Sequence, residues 1–122
     1  MYIADPRQVP MGLFLYTLRP RRAAMLTEGA TAEEQALAAQ HWIYSQSLLG
    51  QGTLVFAGRT LNRDPSTFAF AVVRAQSLDA AHALAERDPA VVGGVFATEV
   101  FPFQPMLMGA WPAEAAIAAA NP

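Results

Sequence analysis

Apolar side chains are distributed along this chain in two rhythms. The residues Gly12-Leu13-Phe14-Leu15-Tyr16-Thr17-Leu18 carry large side chains at consecutive positions and stop at Arg19-Pro20, which predicts a strand covered on both faces. Residues 19–30 read as a connecting loop. Thr31-Ala32-Glu33-Glu34 then has capping-box form, with the Thr31 hydroxyl placed to accept from the Glu34 amide and the Glu34 carboxylate to reach back. A helix is expected from there to about Leu49, closed by Gly50 or Gly52. At about 100° per residue, Leu37, His41, Tyr44 and Leu48 share one narrow stripe, so His41 faces inward.

The second half repeats the alternation. Thr53 to Gly58 predicts a second strand, Arg59 to Ser66 is turn chemistry with Asn62, Asp64 and Pro65, and Thr67 to Arg74 predicts a third strand. In that third run Ala69 and Ala71 leave room for a helix, while Phe68, Phe70 and Val72 point the other way. Ser77 can cap a second helix over Leu78 to Arg87, with Leu78, Ala81 and Ala85 inward and Asp88-Pro89 ending it. Val95 to Phe103 predicts a fourth strand, followed by a tail rich in Ala and Pro.

Strand, helix, strand, strand, helix, strand is the split βαβ order of an α+β, ferredoxin-like fold. The expected architecture is a four-stranded antiparallel sheet with both helices on one face. Residues 1–11 read as an N-terminal extension, 12–105 as the domain and 106–122 as a C-terminal tail. Leaving Phe68, Phe70 and Val72 in water forgoes roughly 1.5–3 kcal/mol per large side chain. A second sheet is the natural cover, so a homodimer is expected.

Composition sharpens this picture. The 122 residues suit one core, and a charged fraction of only 15% beside 53% hydrophobic argues against disorder. With 8 basic and 10 acidic residues the net charge is −2, and Arg19-Pro20-Arg21-Arg22 is the one basic cluster, so no nucleic-acid partner is expected. There is no cysteine, which excludes disulfides, thiolate catalysis and Cys-based metal sites and fits a cytoplasmic location. No apolar run approaches the ~20 residues of a membrane span, and Met1 to Pro10 lacks an apolar signal-peptide segment, so no membrane partner is expected.

Candidate chemistry is sparse. Only two histidines are present, which rules out sites built from several His ligands, and no metal or cofactor is expected. His82 stands among Asp79 and Glu86 and reads as a surface residue. His41 is the informative one, because an imidazole on an otherwise apolar stripe can pass protons near neutral pH. Asp88 is the second candidate: a carboxylate at a helix C-terminus opposes the helix dipole at a cost of roughly 0.3–1 kcal/mol unless compensated. Asp64-Pro65, the same dipeptide in a hairpin loop, reads as turn chemistry alone.

His41, then Gly52-Thr53-Leu54-Val55-Phe56-Ala57-Gly58, then Asp88-Pro89-Ala90-Val91-Val92-Gly93-Gly94-Val95, resembles the YciI-related family over about Met11 to Pro105. The resemblance implies a dimeric ferredoxin-like α+β barrel with a histidine and an aspartate together in a pocket, roles that fall on His41 and Asp88. One branch of that family resembles a dehydrochlorinase acting on a chlorinated hydroxyquinol. Ala38, Arg59 and Ala90 stand where the family often has Arg, Pro and an aromatic residue, which changes pocket walls and leaves the pair intact. Arg59 is a candidate for binding an anionic ligand, and Tyr16 for adding a phenol to the site.

Three functions fit these residues. The first is a cofactor-free enzyme moving a proton with His41 and Asp88 on a small cyclic or phenolic molecule, in elimination or isomerisation. The second is a non-catalytic dimeric module binding a metabolite or partner in the same pocket. The third is a cofactor-free oxygenase. No serine or cysteine nucleophile motif is evident.

Overall fold

The four strands and two main helices follow the order expected from the sequence, with two one-turn helices added. The computed structural model describes residues 12–112. Its strands are β1 (Gly12–Pro20), β2 (Leu54–Arg59), β3 (Ala69–Ala75) and β4 (Phe96–Phe103); its helices are α1 (Ala24–Thr27), α2 (Ala32–Gly50), α3 (Leu78–Glu86) and α4 (Pro89–Val92). The strands form one sheet in the order β2-β3-β1-β4, and every neighbouring pair is antiparallel. This is the ferredoxin-like α+β topology. The expected extension 1–11, and the tail beyond residue 112, lie outside the described residues.

Local chemistry explains the helix ends. The capping box forms as read, Thr31 accepting from the Glu34 amide while the Glu34 carboxylate accepts from the Thr31 amide. Arg22 grips the same carboxylate at 3.0 and 2.6 Å, and this bond holds Glu34 down at a pKa of about 2. At the far end Gly52 takes φ +77°, with Thr53 N–H donating to Leu48 and Gly52 N–H to Leu49, a Schellman closure that needs a glycine. Ser77 caps α3 by accepting from the Ala80 amide.

Three local expectations differ from what forms. Residues 19–30 are not all loop: β1 runs on to Pro20, and Ala24–Thr27 makes one helical turn, a stretch free of Gly and Pro. β3 begins at Ala69 rather than Thr67, because the Thr60 hydroxyl takes the Phe68 amide at 3.1 Å and closes the hairpin with side-chain bonds. Leu78 is 40% exposed, since it is the first residue of α3 and its side chain leans past the helix start.

Alternation divides the sheet. One face carries Phe14, Tyr16, Leu18, Ala71, Val73 and Ala75, packed in one core with Leu48, Ala81 and Ala85 from the helices. On the opposite face Val72 is only 3% exposed and Phe68 and Phe70 are half-buried, so this row is not the open patch the sequence suggests. Its own neighbours supply the cover: Leu15 and Phe56 stand opposite Val72 in the register, Phe56 meets the Phe70 ring edge-on, and the Arg19 guanidinium lies 4.9 Å above Phe68. A register shift between Leu54 and Phe56 brings Phe56 to that place. The exposed aromatics of this face are instead Phe56, Phe101 and Phe103. The chain beyond β4 reaches the far edge strand, where Trp111 packs against Phe56 at 5.8 Å.

Candidate functional site

The segment from Asp88 to Val95 is where sequence and site meet. Asp88 has φ −59° and ψ 125°, the extended conformation that a following proline favours. Pro89 opens α4 at its first position, where a missing amide costs nothing, and Asp88 Oδ1 accepts from the Ala90 amide at 2.9 Å. Gly94 at φ +79° closes the helix, with Val95 N–H donating to Ala90 and Gly94 N–H to Val91. Gly93 serves a different need: a Cβ there would sit 2.5 Å from Leu37 Cδ1, so glycine lets α2 approach α4 closely. One turn after Leu37 on α2 comes His41.

That approach brings His41 Nδ1 within 2.5 Å of Asp88 Oδ2, the N–H donating to the carboxylate. The Asp88 side chain is wholly buried and that of His41 is 22% exposed. The carboxylate therefore divides its two oxygens between a helix start and an imidazole. The expected dipole penalty does not apply: Asp88 lies one residue past the C-cap of α3 and acts as N-cap of α4, where a negative charge is favoured. With Nδ1 committed, Nε2 is the ring nitrogen left for a ligand.

His41 lines a cavity of about 420 Å³ between α2 and the sheet, walled mostly by apolar groups including Leu18, Leu54 and Phe96. The Phe96 ring stands edge-on to the imidazole at 5.6 Å, which limits how far the histidine can swing. Tyr16 and Arg59 also line this cavity, while Asp88, the fourth sequence candidate, is joined to it only through His41. Burial, then the negative charge of Asp88, push the Tyr16 phenol well above its ordinary value, so it stands as a neutral donor. Tyr44 is raised for the same two reasons, and its hydroxyl donates to the Leu84 carbonyl at 2.7 Å, tying α2 to α3 beside the pair. His82 is outside the site, with Nδ1 3.9 Å from Glu86 Oε1.

Trp42, Ser45 and Phe96 belong to the cavity wall and were not singled out by sequence. Ser45 could have been, since it follows His41 by one helical turn. Trp42 could not, because it lies off the buried stripe and is 63% exposed. Phe96 comes from a strand whose distance to α2 only the fold sets. No group of three or more His, Asp or Glu side chains among the described residues is placed to hold a metal ion. No helix among them is long and apolar enough to cross a membrane.

Residues 13–104 match the family model described as the YCII-related domain. Among solved structures, the chain is similar to the 5-chloro-2-hydroxyhydroquinone dehydrochlorinase TftG of Burkholderia phenoliruptrix in complex with 2,5-dihydroxybenzoquinone. The TM-score is 0.56 with 28% identity, covering 75% of this chain and 93% of that one. It is also similar, at a TM-score of 0.41 and 15% identity, to SnoaB, a cofactor-independent oxygenase from Streptomyces nogalater, over 82% of this chain and 97% of that one. No curated protein matches the chain.

Proposed function

The chain belongs to the YCII-related domain family, and from that premise we propose that it is a cofactor-free enzyme moving protons on a small cyclic or phenolic molecule. The observation that carries this reading is the His41–Asp88 bond of 2.5 Å at the edge of the 420 Å³ cavity. In the proposed step His41 Nε2 takes a proton from a ring hydroxyl or an acidic ring C–H. The imidazolium that forms is stabilised by the buried Asp88 carboxylate, which also fixes the tautomer. The electron pair left on the ring is then protonated at a ring carbon by the same imidazolium, an isomerisation; where that carbon bears chloride, His41 next takes a second ring-hydroxyl proton and chloride leaves with the bonding pair, an elimination. Tyr16, held neutral, donates to the oxygen on which charge develops, and Arg59 attracts an anionic substituent.

The dehydrochlorinase at 28% identity supports the substrate class, since its bound molecule is a dihydroxylated quinone ring. A panel of chlorinated and unchlorinated hydroxyquinols, followed by ultraviolet absorbance and chloride release, tests the reading. His41→Ala should abolish turnover and Asp88→Asn should reduce it by about 10²–10⁴-fold. Binding of the panel with no turnover in the wild type would replace catalysis by a metabolite-binding module.

The proposed working form is a homodimer joined through the sheet face that leaves Phe56 (42%), Phe101 (46%) and Phe103 (37%) exposed. Sedimentation equilibrium at micromolar concentration should give twice the chain mass of 13.1 kDa. A monomer at that concentration would remove this part of the proposal.

A further inference from the structure

Beside the His41 cavity lies a second one, larger and chemically unlike it. It has a volume of about 600 Å³ and lies between the turn of α1 and the β2–β3 hairpin. Arg59 belongs to the walls of both cavities, and in the second it is joined by Arg63, Asn62, Thr27 and Thr67. Among the described residues no Asp or Glu lines it, although the whole chain has more acidic than basic residues. The nearest hairpin carboxylate, Asp64, is occupied by Ser66 and Asn62. Glu28 follows Thr27 in the chain without lining the cavity.

Within the second cavity most of the neutral polar side chains, Thr27 excepted, are already engaged. Asn62 donates to Asp64 and Ser66, and the Thr60 and Thr67 hydroxyls bond each other at 3.1 Å. The two guanidiniums therefore supply its recognition chemistry, and guanidinium forks select carboxylate or phosphate oxygens. The first cavity is apolar and suits a ring; the second is cationic and suits an anion; Arg59 is where they join.

We propose that the substrate is bipartite: a ring seated beside His41, carrying a flexible anionic arm that passes Arg59 and ends on Arg63. This deepens the proposed function and rests on that reading for the ring half only. It predicts a cyclic acid larger than a bare hydroxyquinol.

The test is ¹⁵N-resolved NMR titration, following backbone and arginine side-chain signals, with three probes. The probes are 3-(4-hydroxyphenyl)propanoate, its uncharged counterpart 3-(4-hydroxyphenyl)propan-1-ol, and inorganic phosphate. The acid should bind at least 10-fold tighter than the alcohol, and both should perturb His41 and Phe96. Arg63→Ala and Arg59→Gln, both at exposed positions, should each remove most of that difference. Phosphate alone should perturb Arg59 and Arg63 and leave Phe96 unmoved. Equal affinity of acid and alcohol, or a preference that survives Arg63→Ala, would overturn the bipartite substrate while leaving the His41 reading intact. Phosphate binding at the arginines with no ring probe at His41 would keep the anion site and count against the ring cavity as a substrate site. No response at the arginines to phosphate or to the acid would overturn the inference outright.

Discussion

Among the described residues the dipeptide Asp-Pro occurs twice, at Asp64-Pro65 and Asp88-Pro89, and the two have different fates. Both aspartates do the same local job. Each uses Oδ1 to accept from the amide two residues on, Ser66 in one case and Ala90 in the other. What separates them is the surroundings. Asp64 stays in solvent, and its further bonds go to Asn62 and Ser66 in the same loop. Asp88 is sealed under α2, and its second oxygen is met by a histidine 47 positions away. Turn chemistry places a carboxylate; tertiary packing decides whether it becomes a partner for chemistry.

This contrast can be tested by substitution. Asp88→Ala removes a helix cap and leaves the half-buried His41 Nδ1 unpaired, a loss of about 2–3 kcal/mol. Thermal unfolding followed by circular dichroism should show Tm falling by roughly 10 °C; an unchanged Tm would mean that burial gives Asp88 no larger role than Asp64. Gly93→Ala attacks the packing rather than the carboxylate, by driving a methyl into Leu37. It should cost about 1–3 kcal/mol, and the His41 ring signals should shift as α2 moves off α4. Asp88→Asn keeps a good cap and discards the charge, so stability should change by about 1 kcal/mol or less while turnover falls as stated above. Loss of stability without loss of turnover would give Asp88 a purely structural role.

The smallest effects belong to Asp64. Asp64→Ala should lower Tm far less than Asp88→Ala and leave turnover unchanged. Its own titration still carries a signature. Bonds from the Ser66 side chain, then the Ser66 amide and Asn62, hold its carboxyl below the ordinary aspartate value. A depressed folded-state pKa contributes stability above the unfolded value and loses it as pH falls through the folded one. The difference between wild type and Asp64→Asn should therefore be flat above about pH 4 and shrink below it. A difference that grows toward acid pH would reverse the assignment.

Much of the scaffold was legible because its rules are local. Thr31 with Glu34, Ser77 and Gly52 announce helix ends through bonds spanning a few residues, and the His41 stripe follows from helix period alone. Asp88 and Pro89 also carried a legible signal, an N-cap followed by proline at the first helical position. It was read only as the end of α3, because the helix it starts has four residues and no period to detect. The register shift before Phe56 was hidden, since nothing in Thr53 to Gly58 marks which residue is extra. So was the wall of the cavity: Phe96 meets His41 only because β4 ends up beside β1, a fact about sheet order.

The double duty of Asp88 also bears on how descent should be read in chains of this kind. An aspartate that starts a helix is retained by selection for folding, whatever becomes of the reaction. A lineage that abandoned catalysis would still be held to Asp88, to Pro89 and to the glycine pair after them, and could exchange His41 only for a side chain that donates to the buried carboxylate. In a comparison of relatives, then, the persistence of the aspartate says little about activity. On the proposed function, the histidine is the position whose loss would date the end of the chemistry.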